Sequence, residues 1–392
     1  MRGNNVKILI LRTNGNIVNI NTYNMQELGL AKAFIRAGHV CEVAYYGGNE
    51  PTHTEIVSDS GIQVKVWWLK GYSIALNGIF IGLNKLIRNY DIVQVSDYDQ
   101  ITSYLLYAIS KGRNRVVLYH GPYLSDYNKK YLLKSRIVDL FPKPKKVLTT
   151  LPCFTKSVLA ENFLRERGFC NVKTVGVGLD KTRFQMVKEK SDEIKNILLQ
   201  IGNRQVVLYI GRIEERRNTL FLIETFNKVR EINHNVCLLL VGDGTEEYKE
   251  ECSKRINELG LKEFVVYIKK LPQNQLPYLY KQATVFTLPT SYEIFGMVLM
   301  EAMLYGVTVI TTYNGGSITL IDDGRNGIIR ELSEDVWAQE ILTILNQDQR
   351  RRSIGEEAKK TIEEKCSWDI IAKKMLMSYS KILQNDQTKD DI

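Results

Sequence analysis

Residues 285–306 read Val285-Phe-Thr-Leu-Pro-Thr-Ser-Tyr-Glu-Ile-Phe-Gly-Met-Val-Leu-Met-Glu-Ala-Met-Leu-Tyr-Gly306 and contain the pattern that decides the fold. The apolar start predicts a strand, Val285–Leu288, and the following Pro-Thr-Ser-Tyr segment predicts a turn. Gly296 then begins a helix, which Gly306 closes as a C-terminal stop. A strand, a turn and a helix in this order form the unit from which helix-covered parallel sheets are built.

The same alternation of strand and helix continues along the chain in two successive runs. Short β-branched segments alternate with longer amphipathic ones, and continuous apolar strands such as Val206–Ile210 are typical of sheets covered on both faces. We therefore predict an α/β protein with two Rossmann-like domains, residues 1–185 and 186–365. A C-terminal helix and tail, residues 366–392, are predicted to pack back on the first domain. If the domains face each other across a cleft, ligands bind there, outside the carboxyl ends of the strands.

Three local predictions complete this outline. The amphipathic segment Leu76–Arg88 is predicted to be a helix, and the β-branched run Val147–Thr150 is predicted to be a strand. The charged stretch Lys181–Asn203 contains no strand pattern, so the boundary between the domains is expected within it.

Composition indicates a soluble globular protein. The chain has 392 residues, of which 44% are hydrophobic and 25% charged. No apolar run approaches the roughly 20 residues that a membrane-spanning helix needs, and the N-terminus leads directly into the predicted strand Ile8–Leu11, without a signal-peptide pattern. The six cysteines form no Cys-x-x-Cys pair, which fits free thiols in a reducing compartment. We expect a cytoplasmic location.

The net charge of +9 belongs to the N-terminal half. Residues 1–190 hold 27 Lys and Arg against 14 Asp and Glu, whereas residues 191–392 hold 26 against 30. This asymmetry suggests an anionic partner, either nucleic acid or a membrane surface. The alternative is a lysine-rich surface that only maintains solubility.

The predicted helix start at Gly296 has the properties of a phosphate site. Its first backbone N–H groups lack internal partners and carry the positive end of the helix dipole, and a glycine lets a ligand approach the backbone closely. Glu293 precedes this start, and Glu301 follows about 7–8 Å further along the helix axis. A carboxylate there can accept hydrogen bonds from vicinal ribose hydroxyls. The alternative is that Glu293 is a helix-cap acid and Glu301 a surface residue.

These two glutamates also carry a family resemblance. With Phe295 and Gly296 between them, they resemble the Glu-x7-Glu motif of retaining glycosyltransferases of the GT-B fold, specifically glycosyltransferase family 4. Further segments resemble motifs of the same family in the same order: Ala37–Val43, Gly176–Asp180, Tyr209–Asn218, Leu240–Gly244, Pro289–Gly296, Thr312–Gly316 and Asp322–Gly327. The resemblance implies an enzyme of the bacterial envelope-polysaccharide type.

The resemblance implies catalytic roles for four residues. Arg212 would pair with the donor diphosphate, and so would Arg217, which stands where the family usually has lysine. Glu293 would face the hydroxyls of the donor sugar. His120, which follows a predicted strand in the N-terminal half, would lie near the transferred sugar; the alternative is an unremarkable histidine at a strand end.

The resemblance also implies the residues that bind the nucleotide. Glu301 would hold the ribose, and the backbone amides of Phe295, Gly296 and Met297 would hold the distal phosphate. The base would lie near Gly242 and the segment Lys270–Leu271, where the family often has a glycine. The loop that contains Gly15 corresponds to the glycine-rich loop of the family, and its alternative is an ordinary strand–helix turn.

The resemblance implies catalysis without a metal or another cofactor, on a UDP- or GDP-sugar as donor. Arg212, Arg217 and the helix start would stabilise the leaving diphosphate. Asp97-Tyr-Asp99 has the form of the metal motif of the other large glycosyltransferase fold, but it lies in the N-terminal half, where the family has a variable acceptor-side loop. Same-face attack is favoured over a covalent glycosyl-enzyme, because no carboxylate nucleophile is evident.

The segment 128–146 carries seven basic residues and one acid, with leucine and aromatic residues between them. A basic amphipathic helix is typical of binding to anionic lipid, and many family members act on glycan or lipid-linked acceptors. We expect a peripheral protein on the inner face of the plasma membrane, with a solvated helix as the alternative.

Two other functions fit parts of the pattern. A sugar-nucleotide epimerase of the GT-B fold would bind the nucleotide in the same way but need no acceptor. A non-catalytic nucleic-acid-binding protein would use the basic half, but the sequence has no helix-turn-helix or RNA-recognition signature. We therefore expect no nucleic-acid partner.

Overall fold

The computed structural model describes residues 5–20, 25–59, 61–109, 115–180 and 189–390. The described residues form two units, of which the first comprises Met1–Leu179 with Cys366–Ile392 and the second Asp180–Lys365. Each unit contains a largely parallel sheet with helices, so the predicted α/β class is confirmed. The predicted domain boundary at residue 185 lies outside the described residues.

The first unit contains ten strands and six α-helices among its described residues before residue 180. The strands are β1 (Lys7–Leu11), β2 (Val40–Tyr46), β3 (His53–Asp59), β4 (Ile62–Leu69), β5 (Gly71–Ile74), β6 (Asn77–Phe80), β7 (Ile92–Ser96), β8 (Arg115–His120), β9 (Cys153–Thr155) and β10 (Val172–Thr174). The helices are α1 (Gln26–Arg36), α2 (Leu83–Ile87), α3 (Ile101–Tyr104), α4 (Lys129–Asp139), α5 (Lys145–Thr150) and α6 (Val158–Glu166).

The second unit repeats the alternation of strand and helix. Its strands are β11 (Gln205–Ile210), β12 (Val236–Val241), β13 (Val265–Ile268), β14 (Val285–Leu288), β15 (Val309–Thr311) and β16 (Ile328–Ile329). Its helices are α7 (Asp192–Ile201), α8 (Thr219–Ile232), α9 (Glu246–Glu258), α10 (Leu276–Gln282), α11 (Met297–Leu304), α12 (Ser317–Leu320), α13 (Glu334–Asn346) and α14 (Asp348–Lys365). The last helix, α15 (Trp368–Asp390), belongs to the first unit.

The sheet of the first unit has the strand order β10-β9-β8-β7-β1-β2-β4-β3. All neighbouring strands are parallel except β3, which runs antiparallel to β4 at one edge. The carboxyl ends of β1, β7 and β8 therefore lie on the same edge of the sheet, where His120 ends β8 and the loops after β1 and β7 hold Gly15 and Asp97.

Strands β5 and β6 form a separate antiparallel hairpin. Its two turn residues, Ala75 and Leu76, have φ angles of +48° and +65°. Turns with two positive φ angles normally contain Asn and Gly, because a left-handed conformation costs other residues roughly 1–2 kcal/mol each. The hairpin rests on the loop after β1, since the Gly15 N–H donates to the Leu76 carbonyl at 2.9 Å and the Gly78 N–H to the Thr13 carbonyl at 2.8 Å.

Two sequence-based assignments in this unit are wrong. The segment Leu76–Arg88, predicted to be one helix, forms strand β6 and the short helix α2. Gly78 approaches the Thr13 carbonyl oxygen closely, and Gly82 has a φ angle of +76°, so both glycines interrupt the helix. The predicted strand Val147–Thr150 lies in helix α5, where the amides of Val147 and Leu148 donate to the Pro144 carbonyl. The strand that pairs with β8 in the sheet is β9 instead.

Helix α15 closes the first unit. Its Tyr379 hydroxyl donates to Gln94 Oε1 on β7 at 3.0 Å, and Trp368 lies against two glycines. A Cβ atom at Gly29 would lie 2.3 Å from Trp368 Nε1, and one at Gly178 would lie 2.3 Å from Trp368 Cδ2. Both positions therefore need glycine to admit the indole ring.

The sheet of the second unit has the order β13-β12-β11-β14-β15-β16, and every described pair in it is parallel. Every residue of Val236–Val241 is buried, as expected for a strand covered on both faces. Parallel pairing places the carboxyl ends of all these strands at one edge, where the loops that carry the predicted nucleotide-binding residues meet.

Candidate functional site

Three loops at the carboxyl edge of the second sheet line a cavity of about 330 Å³. The loops follow β11, β12 and β13. The lining residues are Ile210, Gly211, Arg212, Val241, Gly242, Asp243, Gly244, Lys269, Lys270, Leu271 and Leu276. The structure thus brings the predicted residues Arg212, Gly242, Lys270 and Leu271 together at one cavity.

Gly242 is the point where two of these loops touch. Its φ angle is +153°, and a Cβ atom there would lie 1.6 Å from the Gly211 carbonyl oxygen. The Gly211 N–H donates to the Val241 carbonyl and the Ile213 N–H to the Asp243 carbonyl, both at 2.9 Å. Glycine at position 242 therefore permits the backbone contact that forms one wall of the cavity.

The rim of the cavity is positively charged. The side chain of Arg212 is 68% exposed and keeps Nε 3.2 Å from Glu214 Oε2. Lys269 and Lys270 follow β13, with Lys269 Nζ 3.7 Å from Asp243 Oδ2. Because Arg212 remains largely solvated, its guanidinium group is accessible to an anionic ligand in the cavity.

Arg217 and Glu293 form an ion pair at the start of the next loop along the sheet. Arg217 Nη1 lies 2.5 Å from Glu293 Oε2, and the two side chains are only 14% and 16% exposed. Arg217 Nη1 also donates to Thr290 Oγ1 at 3.4 Å. The sequence predicted both residues as site residues but did not predict that they pair with each other.

Two neighbours of Arg217 that the sequence analysis missed attach its turn to the Glu293 loop. Asn218 Nδ2 donates to the Pro289 carbonyl at 2.6 Å and to Ser291 Oγ at 2.8 Å. Arg216 donates from Nη1 to the Tyr292 carbonyl, and its own carbonyl accepts the Ser291 N–H. Asn218 has a φ angle of +52°, a conformation that asparagine tolerates. The sequence signal for its role was its place at the end of the segment Tyr209–Asn218, which resembles a motif of the family.

The start of helix α11 lies directly after this loop. Gly296 has a φ angle of +78°, and a Cβ atom there would approach Glu293 Cγ to 3.3 Å. Phe295 is buried, with its carbonyl oxygen against Gly316, whereas Met297 is partly exposed. The first amides of α11 have no intrahelical acceptor, as at any helix start, and carry the positive end of the dipole.

Glu301, in the middle of α11, is fully buried. The Tyr280 hydroxyl donates to its Oε2 at 2.7 Å, and Oε1 has no hydrogen-bond partner among the described residues. Burial raises the pKa of this carboxyl well above its ordinary value, so the neutral form is favoured. The alternative interpretation of Glu301 as a surface residue is therefore wrong.

His120 ends strand β8 in the first unit and is also fully buried. Its Nδ1 accepts the Tyr98 N–H at 3.3 Å, its Nε2 lies 3.3 Å from the Tyr131 hydroxyl on α4, and its ring centre is 5.1 Å from that of Phe163. Burial lowers the pKa of the imidazole despite the nearby carboxylate of Asp97.

The two acids of Asp97-Tyr-Asp99 have pKa values that are shifted in opposite directions. Asp97 Oδ1 lies 3.6 Å from His120 Nδ1 and accepts the Gly121 N–H. Burial would raise its pKa, but His120, Lys156 and this hydrogen bond together lower it. Burial and the charge of Asp97 raise the pKa of Asp99 to about 7. Among the described residues, no group of three or more His, Cys, Asp and Glu side chains could hold a metal ion.

Gly15 lies in the loop after β1 and packs on the β5–β6 hairpin. A Cβ atom at Gly15 would lie 2.4 Å from Ser73 Oγ and 2.9 Å from the Asn77 carbonyl oxygen. This contact alone requires a glycine at position 15.

Comparisons with known proteins agree with this architecture. Residues 190–361 match the sequence model of the family described as "Glycosyl transferases group 1". The chain is 26% identical over 377 residues to the uncharacterized glycosyltransferase MJ1607 of Methanocaldococcus jannaschii, covering 90% of this chain and 92% of that protein. It is 29% identical over 236 residues to the capsular polysaccharide biosynthesis glycosyltransferase CapM of Staphylococcus aureus, covering 60% of each.

A solved structure shows the same fold over the whole chain. HepE of Anabaena, in complex with UDP-glucose, aligns with a TM-score of 0.67 and 18% identity, covering 96% of this chain and all of that one. The chain therefore has the GT-B fold, and its residues 190–361 are similar to the glycosyl transferases group 1 family.

Proposed function

We propose that the protein is a retaining glycosyltransferase that moves a hexose-type sugar from a nucleoside-diphosphate donor to a hydroxyl group of a glycan or lipid-linked acceptor. The observation that carries the proposal is the cavity at the carboxyl edge of the second sheet, with Arg212 on its rim and Gly242 in its wall. The complex of HepE with UDP-glucose supports a nucleotide sugar as ligand of this fold.

The cavity suits the nucleoside portion of the donor. Its volume of about 330 Å³ falls at the lower end of the range for ligand pockets, and Leu271 and Leu276 supply apolar surface for a base. Arg212, with Lys269 and Lys270, supplies positive charge for the diphosphate. UDP and GDP both fit this description, and we propose one of them as the nucleotide.

The helix start at Gly296 and Met297 would hold the distal phosphate. Its dipole and free amides stabilise negative charge as the bond between the sugar and the phosphate breaks. Together with Arg212 this arrangement would make a divalent metal unnecessary. Arg217 would act through Glu293, because their ion pair fixes the carboxylate against the loop before α11, where it can orient the sugar hydroxyls.

Glu301 would bind the ribose. It is held by Tyr280 through one oxygen only, and its second oxygen is unpaired. A ribose hydroxyl would satisfy that oxygen, which gives a physical reason for a buried carboxyl in this helix.

We propose same-face attack for the chemical step. The bond between the anomeric carbon and the phosphate oxygen breaks, the acceptor oxygen bonds to the same face of that carbon, and the acceptor proton passes to the leaving diphosphate. This route needs no protein nucleophile, in contrast to a covalent glycosyl-enzyme.

We further propose a peripheral position on the inner face of a plasma membrane. No helix among the described residues has the length and apolar character to span a bilayer. Helix α4 and the residues after it expose Leu133, Ile137, Leu140 and Phe141 among the seven basic residues of segment 128–146, a combination that favours anionic lipid. The name of CapM supports a role in envelope polysaccharide synthesis.

A screen of nucleotide sugars tests the proposal. UDP- and GDP-hexoses are added to the protein, and the midpoint of thermal unfolding is recorded, since a bound donor stabilises the folded state by mass action. The donor that raises the midpoint is then incubated with candidate acceptors, and the products are analysed by mass spectrometry and NMR. A transferred sugar with retained configuration supports the proposal, whereas an isomerised free donor indicates an epimerase.

A further inference from the structure

The hairpin β5–β6 presents apolar side chains to solvent. Side chains on alternate positions of a strand share a face, and Tyr72 pairs with Ile79 across the two strands. Tyr72 and Ile74 are each 58% exposed and Leu76, at the tip, is 59% exposed. The apolar residues exposed on this hairpin and directly after it are Tyr72, Ile74, Leu76, Ile79 and Ile81, and we call them the hairpin surface.

The hairpin is fastened to the body of the first unit. Ser73 packs against Gly15, and the Gly78 carbonyl accepts a hydrogen bond from Thr102 Oγ1 at 2.5 Å. Asn77 Oδ1 accepts the Ile101 N–H at 2.7 Å. These contacts hold the hairpin in place while the residues of the hairpin surface stay exposed.

The two residues at the tip of the turn are apolar, although their backbone conformation is one that other residue types adopt more readily. Ala75 and Leu76 both have positive φ angles, which Asn and Gly adopt far more readily. Strain of this kind persists where the surrounding structure imposes it and is concentrated at functional sites. A leucine at this position is thus unexpected for a turn that only joins two strands.

Basic residues predominate in the sequence around the hairpin. Residues 62–90 contain Lys65, Lys70, Lys85 and Arg88 and no Asp or Glu. Lys65 lies 3.9 Å from Glu42, whereas Lys85 and Arg88 are exposed. An exposed apolar surface accompanied by basic residues complements the negative surface of a bilayer that contains anionic phospholipid.

The hairpin is also connected to the exposed side of α4. Helix α3 donates the Ile101 and Thr102 hydrogen bonds to the hairpin, and its Tyr104 ring lies 5.4 Å from that of Phe141, which follows α4. Leu105, the residue after α3, is 45% exposed. Two apolar surfaces of the first unit therefore flank one short helix.

We propose that the hairpin surface inserts into the interface of a bilayer containing anionic phospholipid and forms, with α4, the membrane-binding face of the first unit. The inference rests on the proposed function, in which the protein acts at a membrane surface on a lipid-linked acceptor. It adds an apolar membrane-binding element to the basic segment 128–146. Because the Gly15 N–H donates to the Leu76 carbonyl, insertion of the tip would hold the loop after β1 next to the membrane, where such an acceptor is presented.

Flotation of the full-length protein with liposomes tests the proposal. The wild type, Leu76→Asn and the matched control Leu199→Asn are mixed with vesicles of phosphatidylcholine alone and with vesicles that also contain phosphatidylglycerol. Leu199 is an exposed leucine of the second unit, on α7. We expect the wild type and Leu199→Asn to float with the anionic vesicles, and Leu76→Asn to partition roughly tenfold more weakly because it loses one buried apolar side chain.

Thermal unfolding of the same variants distinguishes docking from packing. Asparagine tolerates a positive φ angle better than leucine does, so Leu76→Asn should unfold at the same temperature as the wild type or higher. Loss of flotation together with a lower unfolding temperature would show that Leu76 supports the fold and would overturn the proposal. Equal flotation of Leu76→Asn and the wild type would overturn it as well.

Two further outcomes are decisive. If the wild type is a dimer in light scattering and Leu76→Asn a monomer, while neither floats, the hairpin surface binds a second copy of the chain and the proposal is wrong. Donor binding is measured separately on the wild type by the thermal screen. Flotation without a donor-induced rise of the unfolding midpoint would refute the glycosyltransferase proposal and leave the membrane docking intact. A donor-induced rise of the midpoint without flotation would support donor binding and refute the membrane docking.

Discussion

Glu301 is a carboxyl group held in a buried position with only one hydrogen-bond partner. Its Oε2 accepts from Tyr280, and burial raises its pKa well above 4.5. The unfolded chain ionises this group at its ordinary pKa, whereas the folded protein keeps it protonated. The folded state therefore binds more protons above pH 4.5, and this group lowers the stability of the fold as pH rises towards its folded pKa.

Substitution of Glu301 by Gln should remove this pH dependence. We expect the free energy of unfolding of Glu301→Gln to increase relative to that of the wild type as pH rises from 4.5 to 8, because the wild type loses stability over this range and Gln cannot ionise. Urea unfolding at several pH values measures the difference. A difference between the two proteins that is constant over this range would contradict a raised pKa at Glu301.

The pair of Arg217 and Glu293 makes a second prediction at the residue scale. Glu293→Gln should cost about 1.5–3 kcal/mol of stability, because a hydrogen bond to a charged group is lost in a mostly buried place. It should also slow sugar transfer roughly 100-fold, since it removes a group aimed at developing charge. Unfolding curves and initial rates measure the two effects.

Glu340→Gln is the matched control for this pair. Glu340 is 17% exposed and lies 2.6 Å from Arg330 in the same unit, and it does not line the cavity. We expect a similar loss of stability but an unchanged transfer rate. If both variants lose transfer equally, Glu293 acts only through the stability of the second unit.

At the scale of elements, the loops after β11 and β12 form one wall of the cavity because two glycines meet there. Gly242→Ala should push these loops apart, since its Cβ would lie 1.6 Å from a backbone oxygen. We expect the affinity for UDP or GDP to fall below the detection limit of calorimetry.

Gly260→Ala controls for the strain of a positive φ angle alone. Gly260 has a φ of +66° and nothing within 4 Å of the place of its Cβ, so the substitution should cost roughly 1–2 kcal/mol of stability and leave nucleotide affinity unchanged. Normal nucleotide binding by Gly242→Ala would contradict the role of this wall.

The elements also show what the sequence could and could not predict. The segment from Val285 to Gly306 was predicted correctly as a strand, β14, followed by a helix, α11. Its apolar run, its turn residues and its glycines determine these elements through contacts between residues close in sequence. Strand β6 was predicted as part of the helix Leu76–Arg88, because the apolar residues of this segment also fit the spacing of an amphipathic helix. Periodicity shows which side chains share a face, but it does not show whether that face is buried or exposed to solvent.

The site was predictable to the same extent. Arg212, Gly242 and Lys270 follow successive strands, and parallel strand order alone brings them to one edge. The pairing of Arg217 with Glu293 was not predictable, since the two lie 76 positions apart and meet where Arg216 and Asn218 attach their turn to the next loop. The burial of His120 depends in the same way on Tyr131 and Phe163, which approach it from two helices.

At the scale of the whole molecule, the chain ends in the unit where it began. Helix α15 packs Trp368 against Gly29 and Gly178. Trp368→Ala should lower the stability of the first unit by about 3–5 kcal/mol, because it leaves a cavity in place of a buried indole. Chemical unfolding followed by circular dichroism measures this loss.

Met377→Ala, on the same helix, is the control for Trp368→Ala. Met377 is 62% exposed, so its substitution should change stability by no more than about 0.5 kcal/mol. Equal, small effects of the two substitutions would show that α15 contributes little to the first unit.

The central claim is that a nucleoside diphosphate binds at the carboxyl edge of the second sheet. A crystal structure of the protein with UDP or GDP tests it most directly. We predict the base in the cavity beside Gly242 and Leu271, with phosphate oxygens within hydrogen-bond distance of Arg212 and of the amides at Gly296 and Met297. A nucleotide bound in the first unit, or elsewhere on the second, would contradict the account.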